Sequence, residues 1–185
     1  GLPFAGCFDT TNEGTLNFGQ TVFAYTPPTG FTGWSTTGSP TPTIADGSQH
    51  FVTKLWVGNN TFDGTSIDTG MSSIGLGWVK NRTDAADSFL FDTIRGNGVV
   101  LSSNSTNAES TYGTSTNYVN EINGADGAGT VRFGASNNTN GASDNIVGWF
   151  WNAPATPSSN TDGSITSSVS ANQTAGFSIA TYTGI

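Results

Sequence analysis

Charge is scarce in this chain of 185 residues, and much of it is gathered in one place. Lys80, Arg82 and Arg95 are three of only five basic residues, and Asp84, Asp87 and Asp92 fall among them. Such a group serves either a ligand or a set of ion pairs that fixes strands and their connecting loop. A charge-poor chain that concentrates its charges is pairing them. Lys80, Arg82, Asp92 and Arg95 are therefore read as a structural ion-pair cluster, in which hydrogen bonds offset desolvation. Glycoside cleavage needs two Asp or Glu flanking a sugar bond. The three Glu residues, Glu13, Glu109 and Glu121, stand in polar, loop-like stretches, and no spacing marks two carboxylates as a pair. Nucleophile–base chemistry has one His, His50, and one Cys, Cys7, far apart in sequence. Calcium takes oxygen ligands, which Asn160-Thr161-Asp162-Gly163-Ser164 and Asn120-Glu121 with Asp126 offer. Asx turns explain those stretches more simply. No catalytic residue, metal or cofactor is expected. The remaining candidates are aromatic: Trp34, Trp56, Trp78, Trp149 and Trp151. A tryptophan ring can cover the apolar face of a pyranose, although strand tryptophans are more often core. Trp78 and Trp149 are assigned to the core, and Trp34 and Trp151 to contact with a ligand or partner.

Strands must carry these side chains. Phe51, Thr53, Leu55 and Val57 share one face of a period-two pattern, with Val52, Lys54 and Trp56 on the other. Ile74, Leu76 and Trp78 alternate with Gly75 and Gly77, and further alternations run through 89–92, 131–133 and 177–182. This period marks half-buried antiparallel strands. Ile146–Trp151 is apolar on both faces and reads as a central, doubly covered strand, with Val99–Leu101 a shorter example. Six Asx-Gly pairs punctuate the chain: Asp63-Gly64, Asn97-Gly98, Asn123-Gly124, Asp126-Gly127, Asn140-Gly141 and Asp162-Gly163. Each can close a tight turn, because both residue types reach left-handed backbone. The pattern predicts an all-β antiparallel sandwich or jelly roll. One weak helical stretch is expected near Thr83–Ser88, and one short turn near Asn107–Ser110.

Composition narrows the class further. Gly, Thr, Ser and Asn make up half the chain, and charged residues are only 10% of it, against roughly 25% in ordinary domains. Twelve Phe and five Trp argue against disorder. A net charge of −8 argues against nucleic acid, which demands clustered Lys and Arg. No apolar run is long enough to span a membrane as a helix. The single Cys7 excludes an internal disulfide, which fits manufacture in a reducing cytoplasm followed by exposure outside. Gly1-Leu2-Pro3-Phe4 has neither the basic start nor the hydrophobic run of a signal peptide, and with no initiator Met the chain reads as a piece of something longer. Pro27-Pro28, Pro40 and Pro42 mark an extended segment. The expected organisation is a short strand-containing piece over 1–31, a Pro/Thr/Gly linker over 32–50 and a sandwich over 51–185.

Leu16-Asn17-Phe18-Gly19-Gln20, Phe23-Ala24-Tyr25 and Pro27-Pro28-Thr29-Gly30-Phe31 resemble the last strands of SPRY-type domains. In tail proteins of marine tailed bacteriophages such an end runs into a Pro-Thr-Pro-Thr-Ile linker, which stands here as Pro40–Ile44. The body resembles the phage domain of unknown function that follows this linker. The match is carried by Trp78–Arg82, Phe91–Gly96, Leu101–Asn104 with Ala108-Glu109, Val147–Trp149, Asn160–Ile165, Val169–Asn172, Gly176–Ile179 and Thr181–Gly184. The resemblance covers most of 16–184. It implies a concanavalin-like β-sandwich and a place on the virion surface or a tail appendage, outside the cell, and it supplies no catalytic residues.

The expected function is thus a non-enzymatic structural and adhesive module of a phage tail fibre or appendage. Its expected partners are other copies of the chain, for instance in a trimer, neighbouring virion proteins and a cell-surface glycan. The alternatives are a capsid decoration or extracellular filament subunit assembled by strand addition, and, ranked lower, a polysaccharide-degrading enzyme.

Overall fold

The computed structural model describes residues 23, 25, 26, 28–31, 42–62, 64–112, 118–154 and 156–184. The chain divides into two compact units, Gly1–Ala45 and Asp46–Ile185. In the first, the described residues include one turn, in which the Phe31 amide donates to the Pro28 carbonyl at 3.0 Å around Gly30 at φ +92°. Residues 16–18, 22 and 24 of the strand-containing piece expected over 1–31 lie outside the described residues, as do Cys7, Glu13 and Trp34.

The second unit begins at Asp46 rather than at Phe51. Asp46 caps a 3-10 turn, Gly47–Gln49, by accepting the Ser48 amide at 2.9 Å, and the His50 carbonyl then accepts the Asn152 amide. The end of the expected linker is thereby tied into the sandwich. Among the described residues twelve strands follow: β1 (Phe51–Val57), β2 (Thr65–Asp68), β3 (Leu76–Asn81), β4 (Phe89–Asp92), β5 (Val99–Ser102), β6 (Ser110–Thr111), β7 (Val119–Ile122), β8 (Thr130–Phe133), β9 (Asn145–Trp151), β10 (Ser158–Asn160), β11 (Ser167–Asn172) and β12 (Phe177–Tyr182). All pair antiparallel, in a six-stranded sheet β1-β9-β3-β4-β5-β6 and two three-stranded sheets, β2-β8-β7 and β10-β11-β12. The fold is an all-β antiparallel sandwich. The helical stretches expected near 83–88 and 107–110 are loop, apart from Ser110, which enters β6. Gly64 and the pairs Asn97-Gly98, Asn123-Gly124, Asp126-Gly127, Asn140-Gly141 and Asp162-Gly163 all fall between strands.

The core lies between the six-stranded sheet and β2-β8-β7. Val79, Phe89, Phe91, Val100, Ile146 and Phe150 from the first meet Val119, Ile122, Val131 and Phe133 from the second. Phe133 stacks on Trp56 at 5.3 Å and takes Phe91 edge-on at 5.8 Å. These rings need room, and glycine provides it. A Cβ on Gly77 would stand 2.6 Å from Phe91 Cε2, and one on Gly148 would stand 2.7 Å from Phe150 Cε2. The glycine-bearing faces of β3 and β9 are therefore the buried ones.

Strand β1 closes one edge of the large sheet. An edge strand of seven residues with Phe51, Leu55 and Val57 exposed invites pairing with another chain. Lys54, at the strand's centre and on its inward face, would confront its own copy in a symmetric antiparallel pair. Lys54→Val is expected to create concentration-dependent assemblies beyond those of the wild-type chain in size-exclusion chromatography with light scattering. Unchanged mass profiles would count against this role.

Candidate functional site

Alternation along β1, β3 and β9 turns one set of side chains away from the core, and the strand register aligns them in rows. Trp149 stands between Thr53 and Trp78, Trp151 between Phe51 and Leu76, and Val147 between Leu55 and Lys80. Trp78 is also opposite Leu90 on β4. Trp78 and Trp149 lie 5.3 Å apart with their rings tilted by 43°, and Trp151 packs 5.0 Å from Phe51. The aromatic row runs on to β12, where Phe177 stacks on Trp151 at 6.1 Å. Trp78 is 38% exposed, and its indole N–H donates to Ser103 Oγ at 3.0 Å, leaving the ring as the presented surface. Beside these rings Leu55 is 67% exposed. A contiguous apolar face of this kind, rimmed by hydroxyls, marks a contact surface.

This arrangement corrects the assignment of Trp78 and Trp149 to the core. Both point outward, because Gly77, Val79, Gly148 and Phe150 occupy the inward positions of the same strands. Trp151, expected at a contact surface, stands half-buried in the outward row. Strand β9 is central, but its outward face is covered only in part. Trp34 lies outside the described residues.

The charge cluster is divided. Asp92, nearly fully buried, accepts the Ile94 and Arg95 amides on Oδ1 at 3.0 and 2.9 Å and pairs through Oδ2 with Arg95 Nε at 2.5 Å. Arg95 reaches Glu109 at 3.3 Å. Lys80 does not join this group. Its ammonium donates to the Ala86 carbonyl at 2.8 Å and the Asp84 carbonyl at 3.5 Å, clasping the loop that follows β3. Arg82 is exposed and pairs with no described carboxylate. The single cluster expected from sequence is thus one triad, one lysine clamp and one outlying arginine. The turn after Asp92 is short enough to bring Arg95 back at i+3, whereas Lys80 clasps the loop after β3 and Arg82 stands just past the end of that strand. Arg95→Ala removes the partner of a buried carboxylate that keeps two amide donors. It is expected to cost about 2 kcal/mol of stability, measured by denaturant unfolding, with ligand binding unchanged. Unchanged unfolding with lost binding would assign Arg95 to a ligand instead.

Glu121, Asp126 and Asp162 are engaged locally. Glu121 accepts the Ala125 amide at 2.8 Å, and Asn160 accepts the Asp162 amide at 3.1 Å as an Asx turn. Asp126 pairs with Arg132, whose guanidinium, together with Ser66, holds the Asp126 carboxyl below the usual range. Among the described residues no three His, Cys, Asp or Glu side chains gather as metal ligands. His50 Nδ1 faces the Asn172 amide at 3.1 Å.

A polar hub that sequence reading missed closes one end of the sandwich. Asn140, fully buried, accepts the Asn59 amide at 3.0 Å and the Thr65 hydroxyl at 2.8 Å, and donates to Asn59 Oδ1 at 2.9 Å. Asn81, also buried, donates to Asn137 O at 2.6 Å and to Asp144 Oδ2 at 2.7 Å. These bonds fix the loops beyond β1, β3 and β8. In a chain with 18 Asn, nothing local distinguishes Asn140 from the rest.

Two antiparallel sheets over an aromatic core, with a second aromatic row on the outside of the larger one, define a β-sandwich protein. The chain belongs to the family described as a domain of unknown function (DUF7483), whose model matches residues 46–185. That match begins where the second compact unit begins. No curated protein and no solved structure matches the chain.

Proposed function

We propose that the 46–185 unit is a non-enzymatic binding module whose outward tryptophan row holds neutral glycan by stacking. The observation that carries this reading is the Trp78–Trp149 pair, presented on a rigid central pair of strands and flanked by Trp151 and Phe51. Ring faces held by strands lose little freedom on binding and cover the C–H face of a sugar, while Thr53 supplies a hydroxyl at the margin. Neutral ligands are favoured because the ammonium beside the row, Lys80, is committed to loop carbonyls and the chain carries −8 overall. Glu109 and Glu121 are held by Arg95 and a backbone amide, which supports binding without bond cleavage.

The resemblance to tail proteins of marine tailed phages supports a place on the virion surface, in a tail fibre or appendage. There, many copies of the chain, associated with each other and with neighbouring virion proteins, turn weak sugar contacts into firm attachment to a host cell. The architectural alternative, assembly by strand addition, needs an open edge, and the inward Lys54 of β1 works against it. The test is a glycan array probed with the full chain displayed multivalently. Retention on neutral glycans is the expected result, and absence of retention from a folded, multivalent sample would sink the adhesive reading.

A further inference from the structure

We propose that Tyr112 and Tyr118 form an oxidative modification site, at which a haem peroxidase with hydrogen peroxide joins the two phenol rings as dityrosine. Their ring centroids stand 3.9 Å apart, with the planes tilted by 36°. Ring carbons at that spacing are in van der Waals contact. Two of the chain's four tyrosines are thus brought together, with residues 113–117 between them in sequence.

The backbone holds the pair in place. Gly98, at φ +75°, accepts the Tyr112 amide on its carbonyl at 2.8 Å and donates its own amide to the Val119 carbonyl at 2.9 Å. The Tyr118 carbonyl accepts the Gly134 amide at 3.1 Å. Tyr118 itself stands at φ +73°, in the left-handed region that bulky side chains rarely enter. That conformation seats its ring against the core, with Phe89 edge-on at 5.1 Å and Tyr112 on another side. The place in the fold gives the link a use. Tyr112 directly follows β6, at an edge of the six-stranded sheet, and Tyr118 directly precedes β7, at an edge of the smaller sheet. A bond between them ties one sheet to the other, as an inter-sheet disulfide would in a chain with more than a single Cys.

Burial and the neighbouring Tyr112 phenol push the Tyr118 phenol up, so it is neutral at physiological pH. Each ring therefore gives up one electron together with one proton. Tyr112, 39% exposed, is the ring the oxidant reaches. Its radical passes to Tyr118 across the ring contact, and Tyr112 is then oxidised a second time. The two phenoxyl radicals couple at carbons ortho to their hydroxyls. One C–C bond forms, and the two displaced ring hydrogens move to the oxygens and restore both phenols. One hydrogen peroxide takes up the two electrons and two protons and leaves as two waters.

The experiment treats the dilute full chain with a haem peroxidase and hydrogen peroxide. The monomer is expected to gain dityrosine fluorescence and to lose the mass of two hydrogens. Its tryptic peptide 96–132 should then yield no backbone fragments from breaks between 112 and 118. Tyr112→Phe and Tyr118→Phe, which keep both rings, should each lose the fluorescence, and Tyr25→Phe/Tyr182→Phe should keep it. The mapping on the wild-type chain stands whether or not a variant folds. The assignment is overturned by a monomer that stays free of dityrosine under conditions that couple free tyrosine, by fluorescence that persists in Tyr112→Phe, or by links found only between chains.

Discussion

Gly77→Val is expected to lower the melting temperature by roughly 6–12 °C. Gly77 faces inward between the outward Leu76 and Trp78, and Phe91 lies across it. The first carbon of any side chain there would stand 2.6 and 2.7 Å from Phe91 Cε2 and Cε1 and nearer still to Cζ. The Phe91 ring has no easy retreat, because it is fully buried with Phe133 at 5.8 Å on one side and Phe150 at 6.5 Å on another. Overpacking a core site of this kind costs about 3 kcal/mol, and each kcal/mol moves the midpoint of a chain this size by about 2–4 °C. Gly77→Ala should show the same effect at smaller size. A valine variant that melts with the wild type would mean that the inward face of β3 has been misassigned, and with it the outward aromatic row.

Removing both rings by Trp78→Ala/Trp149→Ala should reduce affinity for a bound glycan about a hundredfold, roughly tenfold per ring. The cost to the fold should stay small by comparison, since both rings look outward and their strands are held by backbone pairing and by the opposite face. Binding measured by tryptophan quenching, with Trp56 and Trp151 still reporting, and melting measured on the same samples separate the two effects. Binding retained within threefold would move the site away from this face. Binding and folding lost together would make the row a structural element.

The strands of the sandwich that bury rings were legible one by one. Phe51–Val57, Phe89–Asp92 and Phe177–Tyr182 carry a period of two, and the Asx-Gly pairs fall between strands, because both signals are local and need no knowledge of neighbours. Strands β2, β10 and β11 were not legible. Thr65–Asp68, Ser158–Asn160 and Ser167–Asn172 are mostly Ser, Thr, Asn and Asp, and their pairing is decided by the strands beside them. Asp92 and Arg95 stood within the cluster expected from sequence, but their pairing, and the separation of Lys80 and Arg82 from it, required the path of the chain.

The candidate site turned on a parity that alternation cannot express. A strand written Leu76-Gly77-Trp78-Val79 states that tryptophan and glycine lie on opposite faces, and hydrophobicity alone places the tryptophan inside. The reverse holds because Phe91 and Phe150, contributed by other residues of the same sheet, fill the inner space over Gly77 and Gly148. Local chemistry determined where the ring-bearing strands extend and where the chain turns between them. Which side of each strand meets water depended on the volume of rings brought from elsewhere in the chain, a non-local quantity that exists only once the sheets have closed on one another.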